Sequence, residues 1–158
     1  MYGGEQQRGL RSGTLPVPLC VGMGAAADIF GRPDIESRRA QLRLKKERLV
    51  DGLIHAGCQV GVNGPAGESS HPGCVNLAFK GFIAEDILGV LQPRLAASTG
   101  SACSSGIPEP SHVLKAIGLS SDAAESSIRF SPGFGTSDQD IDEAVELVAE
   151  ALAKLSDR

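Results

Sequence analysis

Ile141, Val145, Val148, Leu152 and Leu155 recur at spacings of three and four residues, the period that lines one face of an α-helix. Such a stripe is stable only against another apolar surface, so this segment commits the chain to a layered fold. The helix opens at TSDQDID, where Ser137 or Thr136 can cap the free backbone N–H groups and acidic residues suit the positive end of the helix dipole. A second, longer helix is expected from Pro33 and Asp34 to about Ala56. It has Ile35, Leu42, Leu49 and Leu53 on one stripe and Arg38, Arg39, Arg43, Lys45, Lys46 and Arg48 elsewhere.

The surface on which these helices lie comes from short β-branched segments. CQVGV (58–62), CVNLAF (74–79), LAAST (95–99) and SSIRFS (126–131) read as four strands, separated by turn-rich stretches such as NGPAGESSHPG. AEDILGVLQ and SHVLKAIG read as further helices, and PVPLCVGMGAAADIF as a helix started by proline and ended at Gly31. A few strands with helices packed on one face make an α+β two-layer sandwich. The 158 residues fit one ordinary domain, and 41% hydrophobic with 22% charged residues is a globular composition.

A formal net charge of −4 provides no basic footprint for nucleic acid or an anionic membrane surface. No apolar run approaches the ~20 residues of a membrane span, and from the polar, glycine-rich first residues no secretory signal is expected. A cytoplasmic location is therefore expected. The four cysteines, Cys20, Cys58, Cys74 and Cys103, show no CxxC or other metal spacing and are expected as free thiols. Three lie in apolar or strand-like surroundings that favour packing.

Cys103 differs. In LAASTGSACSSGIPEP its neighbours are Gly100, Ser101, Ser104, Ser105 and Gly106, a setting that suits an exposed loop where a thiolate can form and reach a partner. The loop alone leaves a reactive sulfur and an incidental surface cysteine equally open. Arg129, between Ile128 and Phe130, fits the solvent-facing position of an alternating strand. Arg11, Ser12 and Thr14 fit an ordinary polar loop, although a hydroxyl and adjacent N–H groups also suit a phosphate. His55, His71 and His112 have no orienting partner or metal spacing and read as surface residues.

Three segments, RGLRSGTLPVPLCVGMGAA, STGSACSSGIPEPSHVLKAIGL and SSIRFSPGFGTSDQDIDEAVELV, together resemble the C-terminal part of cysteine desulfurases of the NifS/IscS type. These are pyridoxal-phosphate enzymes of the aminotransferase class V family. The resemblance runs essentially from Gly3 to the C-terminus. It implies the small C-terminal domain of a fold-type I pyridoxal-phosphate enzyme, with residues 1–32 as a cofactor- and dimer-side loop and linking helix. Residues 33–158 would then form a small α/β domain carrying the catalytic-cysteine loop, 98–109. It further implies that Cys103 takes sulfur from L-cysteine, giving alanine and a persulfide passed to a sulfur-acceptor or scaffold protein in iron–sulfur cluster or thio-cofactor biosynthesis. Arg129 would hold the substrate α-carboxylate, and Thr14 the cofactor phosphate across a homodimer interface.

The same resemblance identifies what lies outside the sequence. The family's Schiff-base lysine, the aspartate at the pyridine nitrogen and the stacking histidine belong to an N-terminal part with no counterpart here. Lys45, Lys46, Lys80, Lys115 and Lys154 match no cofactor-lysine motif. Tight pyridoxal-phosphate binding by these 158 residues alone is not expected. The missing cofactor domain or a homodimer mate becomes an expected partner. A noncatalytic sulfur-relay or interaction module and an inactive fragment are the alternatives.

Overall fold

The computed structural model describes residues 3–65, 67–99 and 111–157. They fall into two compact units, one ending at Ser37 and the other beginning at Arg38. In the first, a 3-10 turn at Gln6–Gly9 leads through the RSGT loop into helix α1, Val17–Phe30. Pro18 suits the first turn of α1, where backbone N–H groups have no intrahelical acceptor, and Gly31 closes its end. None of its residues is buried. A helix apolar on all sides normally lies within a core, yet Leu19 and Met23 are 72% and 78% exposed.

The boundary between the units falls inside helix α2, Ile35–His55. Its stripe is buried as the spacing requires, with Leu42, Leu49 and Leu53 at 5% exposure or less. Three antiparallel strands follow the order β1 (Val60–Asn63), β2 (Val75–Phe79), β3 (Ser127–Phe130). A 3-10 turn at Gly67–Ser69 and helices α3 (Ala84–Leu91), α4 (His112–Ala116), α5 (Ser121–Glu125) and α6 (Asp138–Ser156) complete the described elements.

One face of the sheet makes the core. Val75, Leu77, Phe79, Ile128 and Phe130 cluster with Leu49 and Leu53 of α2, Ile87 and Leu91 of α3, and Ile141, Ala144, Leu147, Val148, Ala151 and Leu152 of α6. The rings of Phe79 and Phe130 meet edge to face at 6.3 Å. Gly52 lets α2 and α6 approach closely, since a Cβ there would lie 2.8 Å from a methyl of Val145. Ser137 and Asp140 form a reciprocal cap at the start of α6, at 3.1 and 2.7 Å. Arg48 of α2 grips both carboxylate oxygens of Asp142 at 2.7 Å.

Apart from the two 3-10 turns, which lie in segments read as loops, two elements differ from the sequence reading. LAAST is not a full fourth strand: only Ser98 pairs, in an isolated bridge to Arg129. Helix α5 has no counterpart among the expected elements. Five residues are too few to display an apolar period, and the available signal is the Ser120 cap, whose hydroxyl accepts from the Ala123 N–H at 3.2 Å.

Candidate functional site

The face of the sheet turned away from the core is polar. Alternation with buried Ile128 and Phe130 puts Arg129 there, exposed. The strand register then aligns three polar residues in one row: Asn63 of β1 faces Asn76 of β2, and Asn76 faces Arg129 of β3. Ser98 extends the row. Its N–H donates to the Arg129 carbonyl at 3.2 Å, and the Arg129 N–H donates back to the Ser98 carbonyl at 2.7 Å. Ser98, five residues before Cys103 in the sequence, is therefore fixed against Arg129 by two backbone hydrogen bonds.

The side chains on this face form a connected set. Asn63 Nδ2 donates to Asn76 Oδ1 at 2.6 Å and to Ser127 Oγ at 2.9 Å, and Ser127 Oγ donates to the Ala123 carbonyl of α5 at 2.6 Å. Ser127 is completely buried, so this chain satisfies a hydroxyl that would otherwise be costly to hold there. The Arg129 guanidinium has no side-chain or ionic partner among the described residues. Its planar fork, anchored on a paired strand and open to solvent, is suited to an external carboxylate.

In the first unit, Arg11 shapes the RSGT loop by donating from Nη1 to the carbonyls of Ser12, Gly13 and Thr14 at 3.2, 3.1 and 3.4 Å. Gly13 turns the chain at φ +96°, a conformation that disfavours any side chain. Ser12 is buried and donates to the Gly4 carbonyl at 2.8 Å. Thr14 is exposed, and its hydroxyl has no partner among the described residues.

Cys103 lies outside the described residues. Of the other cysteines, Cys58 and Cys74 are half-buried, whereas Cys20 is exposed on α1, contrary to the packing role expected from its apolar neighbours. Burial pushes the Cys58 thiol above its ordinary pKa. The histidines are surface residues as expected: His55 and His71 are exposed, with ring nitrogens paired to the Asp51 carbonyl and the Gly73 N–H, and His112 is exposed on α4. No group of three or more metal-ligating side chains converges among the described residues.

Sequence reasoning picked out Arg129 and Thr14 but missed Asn63, Asn76 and Ser98. The available signal was two asparagines inside strand segments, where that residue is disfavoured.

The family pattern described as aminotransferase class V matches residues 3–144. The chain is 43% identical over 155 residues to a protein named cysteine desulfurase IscS from Shewanella loihica, covering 98% of this chain and 37% of the relative. It is 40% identical over 153 residues to the cysteine desulfurase of Homo sapiens, covering 97% and 33%. Among solved structures, a NifS-like protein superposes with TM-score 0.79 at 26% identity, over 97% of this chain and 38% of that one. DndA from Streptomyces lividans superposes with TM-score 0.57 at 37% identity, over 83% and 36%. The chain thus spans about a third of the length of the proteins it matches.

Proposed function

Because the chain belongs to the aminotransferase class V family, we propose that it is the sulfur-accepting portion of a cysteine desulfurase. Arg129 takes the α-carboxylate of L-cysteine in its guanidinium fork. The Cys103 thiolate attacks the substrate sulfur: an S–S bond forms as the substrate Cβ–Sγ bond breaks. The carbon keeps the electron pair and takes a proton to become the methyl group of alanine. Cys103 is left as a persulfide, whose outer sulfur passes to the thiolate of an acceptor or scaffold protein serving iron–sulfur cluster or thio-cofactor synthesis.

The observation that carries this reading is the bridge between Ser98 and Arg129. Cys103 follows Ser98 by five residues, and a fully extended chain of that length spans about 17 Å at most. A thiol on so short a tether can reach a substrate anchored on Arg129, which supports this reading. The similarity to cysteine desulfurases over nearly the whole chain supports the same assignment.

Pyridoxal phosphate supplies the electron sink for such chemistry in this family. The described residues do not fit the cofactor as a whole. The strand positions facing away from the core are Gly61, Asn63, Asn76, Ala78, Ser127 and Arg129, with no lysine to hold the aldehyde carbon and no acid for the pyridine nitrogen. The exposed Thr14 hydroxyl fits a single phosphate oxygen, for a cofactor carried by a homodimer mate or by protein outside this sequence. In this reading the family's large cofactor domain supplies the remaining groups.

The test combines the chain with a lysine-bearing cofactor domain of the same family and follows alanine release and the mass of the Cys103 peptide. Alanine and a persulfide adduct are expected in the mixture and neither with Cys103→Ser. Arg129→Ala should raise the KM for cysteine about tenfold to more than a hundredfold while leaving cofactor absorbance intact, from the loss of a charge-assisted pair worth roughly 1.5–3 kcal/mol. A persulfide on Cys103 without alanine would point instead to a relay module. That reading requires Cys103 to accept sulfur from a persulfide donor with no alanine formed.

A further inference from the structure

We propose that Asn76 is a second carboxylate-binding residue beside Arg129, so that the sheet face reads the α-carboxylate of a small amino acid with two side chains. The proposal rests on the assignment of Arg129 to that carboxylate. The two residues are opposed in the β2–β3 register, and side chains directly opposite on one face have Cβ atoms about 4.5–5.5 Å apart. Both belong to the row that alternates away from the buried core.

The Asn76 carboxamide is oriented before any ligand arrives. Its Oδ1 accepts from Asn63 Nδ2 at 2.6 Å, and Asn63 is itself held by Ser127, which is anchored to the Ala123 carbonyl. With Oδ1 committed to Asn63, Nδ2 presents its two N–H donors, and these have no acceptor among the described residues. A half-buried amide that spends its oxygen internally and leaves its nitrogen open is a preset donor. Next to a guanidinium with no side-chain partner among the described residues, it matches a ligand with two adjacent anionic oxygens. One oxygen takes the Arg129 fork and the other the Asn76 amide, and a third polar group, Asn63, positions Asn76 without touching the ligand.

The test uses the isotopically labelled 158-residue chain, titrated with L-alanine and, separately, with L-alaninamide, which lacks the carboxylate. Nitrogen–proton NMR spectra follow the Arg129 Nε–H and Asn76 Nδ2 resonances, and the backbone amides confirm that each variant is folded. L-Alanine should move both sets with one shared midpoint, and L-alaninamide neither. Asn76→Ala should raise the midpoint read at Arg129 about three- to tenfold, and Asn76→Gln, which keeps the donor, should recover part of that loss. Asn63→Ala should raise it by a smaller factor by freeing the carboxamide.

An Arg129 titration with the same midpoint in wild type and Asn76→Ala overturns the role of Asn76 while leaving Arg129 as the carboxylate site. An Arg129 resonance that ignores L-alanine, or responds equally to the amide, overturns the Arg129 assignment and this proposal with it.

Discussion

At the residue scale, chemistry on this chain is decided by which side chains are left without internal partners. Arg129 and Thr14 are exposed with unoccupied donors among the described residues, whereas Lys46 donates to Ser70 Oγ at 2.7 Å and Arg48 is held by Asp142. The cysteines separate by the same logic. Burial raises the Cys58 pKa, so its thiolate appears only at higher pH than that of an ordinary exposed thiol. Alkylation followed site by site by mass spectrometry should show Cys58 responding last as pH rises and Cys103 labelling fastest. Exposed Cys20 is the demanding comparison; equal labelling of Cys20 and Cys103, or protection of Cys103, removes the argument for a specially reactive thiol. The place of Arg129 on the solvent side was legible from its two apolar neighbours. The exposure of Cys20 was not, because local apolar sequence predicts burial only where another element arrives to cover it.

At the element scale, helix α6 shows how much local sequence fixes. The cap residue, the acidic first turn and the apolar stripe of TSDQDIDEAVELV all recur in the structure, with Ile141, Val148 and Leu152 buried and Val145 and Leu155 packed at the margin. Ser137→Ala should lower the unfolding free energy by about 1 kcal/mol at pH 7, read from urea midpoints. The Ser137 backbone N–H, and then its hydroxyl, hold the Asp140 carboxyl below its ordinary pKa. A depressed carboxylate contributes stability above its unfolded value and loses it as pH falls through the folded one. The gap between wild type and Asp140→Ala should therefore be present at neutral pH and close in acid; a gap unchanged by acid would exclude the capping carboxylate as its source. The strand reading of LAAST failed for a different reason. Its composition permits extension, but a strand exists by pairing, and only Ser98 finds a partner, in Arg129. The row from Asn63 to Arg129 was equally invisible, since register is a property of two strands and is not written in either alone.

At the scale of the whole molecule, the second unit owns the core, and the first contributes a helix whose apolar side chains remain in solvent. Among the described residues no helix is long and apolar enough to cross a membrane, and the exposed apolar side chains of α1 form a surface that another protein could cover. The expected outcome is self-association of the chain, or capture by a cofactor domain, weakened by charged substitutions such as Leu19→Glu and Met23→Glu. Sedimentation at several concentrations checks this; a monomer throughout, unaffected by either substitution or by the cofactor domain, would contradict it. The same helix has 14 residues, two internal glycines and no burial, close to the length below which a helix in water is marginal. Its order is then linked to occupancy, by the mass-action rule that whatever binds only the folded form stabilises it. The amide protons of α1 should exchange quickly in dilute protein and slow as assembly proceeds, while those of the sheet hold a constant rate. Hydrogen exchange at one helix thus becomes a binding isotherm, and the Leu and Met side chains left in solvent are what couple local folding to the presence of a partner.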